Sequence, residues 1–172
     1  MLTTEDNLLF QSYFTFVLLV ELQNNKFLES QSFAALKFGS PWIKEELQNI
    51  GVGNQGCALI ALYVMLVIPR ELIAEKYPDE YEDIRAFLES HTQNTRSTYK
   101  SDKMQIDFLY HIRNAVAHAR VSFRRNEVIV FTDSNNKGET FESELSLQYL
   151  GELVQRLQGI HLKYVQYLQQ SR

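Results

Sequence analysis

Apolar residues recur at intervals of three and four along most of the chain, the period of a helix with one buried face. From about Asp6 to Gln23 the set Leu9, Phe10, Tyr13, Phe14, Val17, Val20 and Leu22 keeps this spacing and predicts a first helix packed on the core. Ser40 as N-cap, Pro41 at the first helical position and Gly51 just past the last turn bound a short helix. A buried helix is predicted from Asn54 to about Lys76 with a kink at Pro69, and another runs from Pro78 to about Leu88. "ESHTQNTRSTYKS" breaks the pattern and predicts a polar, mobile loop; Asp102 then serves as N-cap of a helix that continues to about Ala119. Next the period changes to two. "RVSF" and "EVIVFT" alternate β-branched and aromatic residues around "RRN" and predict a β-hairpin, with "TFESE" as a further strand after the turn "DSNNKG". Ser146 caps the last helix, in which Leu147, Leu150, Val154, Leu157, His161, Tyr164 and Leu168 return to spacings of three and four. The expected fold is mainly α, with a small β-hairpin inserted before the C-terminal helix.

Composition narrows the class. The 172 residues fall in the range of one domain, expected over 1–172, and 45% hydrophobic with 22% charged residues is globular usage. Cys57 is the only cysteine, which excludes an internal disulfide and a cysteine-rich zinc site and fits a reducing, cytoplasmic setting. The apolar N-terminus carries Glu5 and Asp6 where a secretory signal needs basic residues, so it is expected to be a core helix. The longest apolar run, "CALIALYVMLVI" over 57–68, is too short for a bilayer, which takes roughly twenty residues. No membrane association is expected. A net charge of −4 argues against indiscriminate binding to nucleic acid, so any such contact must be local.

The candidate chemistry is concentrated in "IRNAVAHAR", residues 112–120. On a helix at about 100° per residue, Phe108, Leu109, Ile112, Ala115, Val116 and Ala119 share a core side. Asp107, His111, Asn114 and His118 form a stripe on the opposite side, with Arg113 at the border. Asp107 and His111 are spaced as an i, i+4 pair, and Asn114 stands one turn before His118, where it can orient that ring. Arg113 and His118 are about 140° apart around an ideal helix. Either the helix loosens near His118 or the two side chains converge around a substrate. Histidine moves protons near neutrality and arginine forks onto phosphate. RNA carries its own nucleophile, the 2'-hydroxyl, so its scission needs only a base, an acid and a cation facing the phosphate. One copy of the motif lacks one proton-transfer group, and a two-fold homodimer would bring a second histidine and arginine to the same cleft. Arg120, Arg124 and Arg125 either hold flanking phosphates as substrate-binding residues or keep an exposed hairpin soluble.

Other patterns carry less. His111 and His118 are about 10 Å apart along a helix axis, too far to share one zinc ion, and no metal site is expected. His161 falls in an apolar stripe as a hydrogen-bonded core or seam histidine. "GVGNQG" satisfies the dinucleotide-binding pattern literally, but "PWIKEELQNI" before it predicts a helix where that turn needs a strand. Its glycines end one helix and start the next, and no cofactor is expected.

"RNAVAH", Arg113 to His118, resembles the R-N-x-x-x-H form of the HEPN superfamily signature, and its place near the end of a helix in a mostly helical chain matches as well. The helix-hairpin-helix ending resembles a bacterial and plasmid-borne branch of that superfamily. The resemblance implies a HEPN-like helical bundle, a homodimer that pairs the motif helices, and metal-independent RNA cleavage in toxin, phage-defence or RNA-processing systems, with Arg113, Asn114 and His118 catalytic. A toxin role would add a cognate antitoxin as partner. Some members of the superfamily are inactive or bind nucleotides, so the resemblance also admits a non-catalytic interaction module.

Overall fold

The computed structural model describes residues 3–69, 72–125 and 127–170. Helix α1 (Thr4–Asn24) opens with a capping box: the Asp6 amide donates to the Thr3 hydroxyl at 3.0 Å, and the Thr3 amide donates to the Asp6 carboxylate at 2.9 Å. The same carboxylate accepts from the Tyr164 hydroxyl at 2.6 Å, which ties the start of the chain to its last helix. A 3-10 turn (Phe27–Glu29) and the short α2 (Gln31–Ala35) fold around Phe33, whose ring meets Phe27 and Phe38 edge-on. Helix α3 (Pro41–Ile50) has the predicted bounds, with Pro41 at its start and Gly51 at φ 72° closing it. Asn54 then caps α4 (Gln55–Leu62), so the glycine-rich stretch is a helix-to-helix connection.

The long buried helix expected from Asn54 to Lys76 is divided. After α4 the backbone widens into a π turn over Tyr63–Val67 and the helix breaks at Pro69, whose ring and missing N–H forbid a regular turn. Arg70 and Glu71, next to the expected kink, lie outside the described residues. Helix α5 (Leu72–Lys76) follows, and α6 starts at Pro78 and reaches His91.

The segment expected to be a mobile loop is ordered. Gln93–Ser97 forms strand β1, and Lys100–Lys103 forms a 3-10 turn. Helix α7 (Phe108–Ala117) is therefore shorter than predicted, because Asp107 and not Asp102 is its N-cap, accepting from the Tyr110 amide at 3.0 Å. Strands β2 (Val121–Arg124), β3 (Val128–Ser134) and β4 (Thr140–Ser146) come next, then α8 (Leu147–Gln170), whose Tyr149 amide donates to Ser146 at 3.2 Å. The expected hairpin is thus part of a four-stranded antiparallel sheet in the order β1-β4-β3-β2. Phe123, Ile129 and Leu145 stand opposite one another on its inner face, as do Asp133 and Phe141 two rows along.

One hydrophobic core links helices and sheet. Leu62 and Met65 at its centre, Leu88 of α6, Ile112 of α7 and Leu153 and Leu157 of α8 are fully buried. Helix α7 packs on β3 and the π turn, which places the "RNAVAH" motif at the junction of the helical part and the sheet. Among the described residues, no single helix is long and apolar enough to cross a membrane.

Candidate active site at the end of helix α7

The core side of α7 matches its sequence pattern except at one residue. Phe108, Leu109, Ile112, Ala115 and Val116 are buried, whereas Ala119 is exposed because the helix has already ended. His118 is the C-cap, at φ −102° and ψ 12°, so its side chain leaves from a residue outside the helical wells. Ala119 follows at φ 53°. Its amide donates to Val116 O at 3.2 Å and the Arg120 amide reaches back to Ala115 O at 2.8 Å, the two bonds of a Schellman exit. The Arg120 carbonyl in turn accepts from both the amide and the hydroxyl of Thr132, at 3.0 and 3.1 Å. The chain around His118 is pinned on both sides while its imidazole faces solvent. Of the two alternatives open from the sequence, the helix does end at the histidine.

The middle of the polar stripe, at His111 and Asn114, is not a solvated face, whereas Asp107 and His118 at its ends are exposed. His111 is 1% exposed, and its Nδ1 lies 2.8 Å from Asp133 Oδ2 while its Nε2 lies 3.1 Å from Asp102 Oδ2. Its ring stacks on Phe141 with centroids 4.3 Å apart. The expected pair with Asp107 is not formed, because Asp107 is committed to the N-terminus of α7 and two better-placed carboxylates bracket the ring. Asp102, displaced from its expected capping role, also accepts a short hydrogen bond from the Ser97 hydroxyl.

Asp133 is the hub of this cluster. Its Oδ2 accepts from His111, from Tyr99 Oη at 3.1 Å and from Asn114 Nδ2 at 3.2 Å. Burial pushes its carboxyl up, but these three donors and the nearby imidazole outweigh that and hold it below the usual carboxylate range. Tyr99 responds in the opposite sense: burial and the adjoining Asp133 push its phenol up to about 12. Asn114 therefore does not orient His118 with its side chain. Its amide turns inward to Asp133, and only its backbone carbonyl meets the His118 amide, at 3.0 Å.

The remaining predicted residues divide between this cluster and other surfaces. Arg120 donates to Ser134 O at 3.1 Å and Ser134 Oγ at 2.8 Å, and lies 3.9 Å from Asp133 Oδ1 with 40% of its side chain exposed. Arg113 is half-buried over the Tyr110 ring, 5.7 Å from its centroid, and borders a cleft of about 190 Å³ with Arg85, Asp107 and Tyr81. Arg124 forms a short ion pair with Glu144 on the outer face of the sheet, and Arg125 is exposed in the turn after β2. Asn114 and Arg120 are thus brought to one carboxylate, while Arg124 is held elsewhere. Among the described residues, no group of three His, Cys, Asp or Glu side chains is arranged to hold a metal ion.

Sequence reasoning missed Asp133 and Tyr99. A signal for the first existed: Ile129, Phe131 and Asp133 alternate on one strand face, so a carboxylate occupies an inward position where it must find donors. The Tyr99 and Asp102 contacts had none, since both residues sit in a segment with no apolar period.

A family model described as HEPN pEK499 p136 matches residues 1–168. The chain belongs to that family. The match spans nearly the whole sequence, and the HEPN resemblance is borne out. No curated protein and no solved structure matches the chain.

Proposed function

We propose that this HEPN-family chain is a metal-independent endoribonuclease that acts as a homodimer. His118 exchanges a proton with the ribose 2'-hydroxyl or the leaving 5'-oxygen, and Arg113 neutralises the pentacovalent phosphate. The 2'-oxygen bonds to phosphorus as the bond to the 5'-oxygen breaks, leaving a 2',3'-cyclic phosphate and a 5'-hydroxyl. The observation that carries the reading is an exposed His118 at a rigid helix exit, five residues after Arg113, in a chain matched almost throughout by a HEPN family model. Arg120 and Arg125 fit flanking phosphates, and a role in toxin-antitoxin or phage-defence systems belongs to the same proposal.

A seat for the second copy adjoins the motif. Leu59, Ile60, Tyr63, Val116, Ala119 and Val121 line an open apolar depression of about 320 Å³, and Ile60 and Tyr63 are 47% and 46% exposed. Ala119 directly follows His118, so a two-fold axis through this depression would bring both histidines toward one cleft.

The test is incubation of the purified protein with a mixed RNA pool, with and without EDTA, followed by end-group analysis. His118→Ala and Arg113→Ala should each abolish cleavage while the dimer persists, and cyclic-phosphate ends should survive chelation. Undiminished cutting by the His118 variant would remove this site. A second reading, a non-catalytic interaction module, is favoured by the charge distribution: Arg124 is already paired with a carboxylate and the chain is acidic overall. Absence of cleavage of any RNA in the pool would favour it.

A further inference from the structure

Asp133 makes contacts that a helix-to-sheet packing role alone does not require. The central strand could close its inner face with another apolar residue, as it does at Ile129 and Phe131. Instead it presents a carboxylate, 4% exposed, to the motif helix. One oxygen takes Asn114, the residue directly after the motif arginine, and the other faces Arg120, two residues after His118. These two residues stand on either side of the motif histidine in sequence; Asn114 is partly buried and Arg120 is exposed. Behind Asp133, His111 and Tyr99 fill the same oxygen that holds Asn114, and Asp102 holds the far nitrogen of His111. The carboxylate therefore has little freedom to turn, because rotating it would break three hydrogen bonds of a buried group.

We infer that Asp133, locked by His111 and Tyr99, is a positioning residue that holds Asn114 and Arg120 together at one carboxylate beside the exit of α7 at His118, for the phosphates next to the scissile linkage. This inference rests on the ribonuclease reading of the site. Asp133 touches no substrate and moves no proton. It fixes one amide and one guanidinium before RNA arrives, so that the bound linkage is already aligned for attack. Arg120 keeps part of its guanidinium in solvent after satisfying Ser134, which leaves donors for a phosphate.

The experiment compares single-turnover and steady-state RNA cleavage by the wild-type protein and three variants. Asp133→Asn keeps the shape but supplies an amide where three donors expect an acceptor. His111→Phe keeps a ring on Phe141 and removes the clamp, and Tyr99→Phe removes one hydroxyl with the least risk to folding. Asp133→Asn and His111→Phe should lower kcat about 10- to 100-fold with KM changed by less than about threefold, the pattern of lost alignment. Tyr99→Phe should lower kcat by about two- to fivefold. The double variant Asp133→Asn/His111→Phe should lose little more than the worse single variant, because the two act through one contact. Leu157→Ala, in the core of α8, serves as a stability control and should lower the melting temperature without this loss of kcat. If the wild type cleaves RNA and all three network variants keep its kcat, the inference is wrong and the ribonuclease reading stands. If Leu157→Ala loses kcat in parallel with its stability, the effect is structural and the inference is again overturned. If the wild type cleaves no RNA, the reading itself fails and takes the inference with it.

Discussion

The backbone amide of Arg120 donates to the carbonyl of Ala115 at 2.8 Å, closing α7 immediately behind His118. The closure requires the intervening Ala119 to adopt φ 53°, a left-handed conformation in which its Cβ crowds the following carbonyl. Glycine is the usual residue at this position of a Schellman exit. Ala119→Gly should therefore raise stability by about 0.5–1 kcal/mol, since relief of the left-handed strain exceeds the added freedom of the unfolded chain. Urea unfolding checks this, and a lower midpoint at unchanged slope would contradict the strain argument.

His161 lies between α8 and α1 with no solvent exposure, its ring 5.7 Å from that of Tyr13, and neither ring nitrogen has a hydrogen-bond partner. The sequence placed it correctly in the core but expected it to be hydrogen-bonded. Burial pushes its pKa down from 6.5 to about 4, so between those values the unfolded chain takes up a proton that the folded one refuses. Stability contributed by the neutral ring is thus full above pH 6.5 and falls as the pH drops toward 4. Between pH 7 and pH 5 the loss should be on the order of 1–2 kcal/mol, and His161→Leu should abolish that part of the slope and raise stability at pH 7. Denaturant unfolding at both pH values decides the matter; an unchanged slope in the leucine variant would contradict it.

The hairpin arginines are not equivalent. Arg124 is spent on Glu144, which also accepts from Asn94 at 2.8 Å, whereas Arg125 is exposed in the adjoining turn. Arg125→Ala should weaken RNA binding to the His118→Ala protein, reduce the salt slope by about one and leave stability unchanged. Arg124→Ala should change the salt slope less and lower stability by less than about 1 kcal/mol, since Arg124 is itself half exposed and the buried Glu144 keeps its hydrogen bond from Asn94. Filter binding across a salt series separates the two, and an equal loss of slope in both variants would show that Arg124 releases Glu144 to meet phosphate.

What the sequence revealed followed the strength of its periodicity. Helix α1 was legible from its apolar spacing, the bounds of α3 from the proline at its start and the glycine past its end, and the start of α8 from its Ser146 cap. Strand β1 was not, since Gln93–Ser97 contains no apolar residue and is held at the sheet edge by pairing with β4, a long-range contact that no local pattern encodes. The division of the expected long helix near Pro69 was half visible: the proline was plain, the π turn before it was not. At the site, the motif gave Arg113, Asn114 and His118, but the network behind Asn114 depends on residues 19 positions away in sequence at Asp133. Helical geometry placed His111 on a polar stripe. Only the sheet crossing over α7 converts that stripe into a buried cluster.

The proposed composite site requires a face that pairs two copies, and the depression beside Ala119 is the face proposed for it. Ile60 and Tyr63 project from the end of α4 and the start of the π turn, where widening of the backbone turns side chains out of the regular helical array. A dimer axis there counts each substitution twice, once per copy. Ile60→Asp would then place two carboxylates in an apolar seam. Dissociation should strengthen by about 100-fold or more, a little under 3 kcal/mol, without loss of the folded monomer. Ile60 touches none of the proposed catalytic side chains directly, so cleavage at low protein concentration should fall with the dimer and recover as concentration is raised. Sedimentation analysis alongside the cleavage assay checks both. A wild-type monomer at micromolar concentration, or a dimer indifferent to Ile60→Asp, would place the partner on another face.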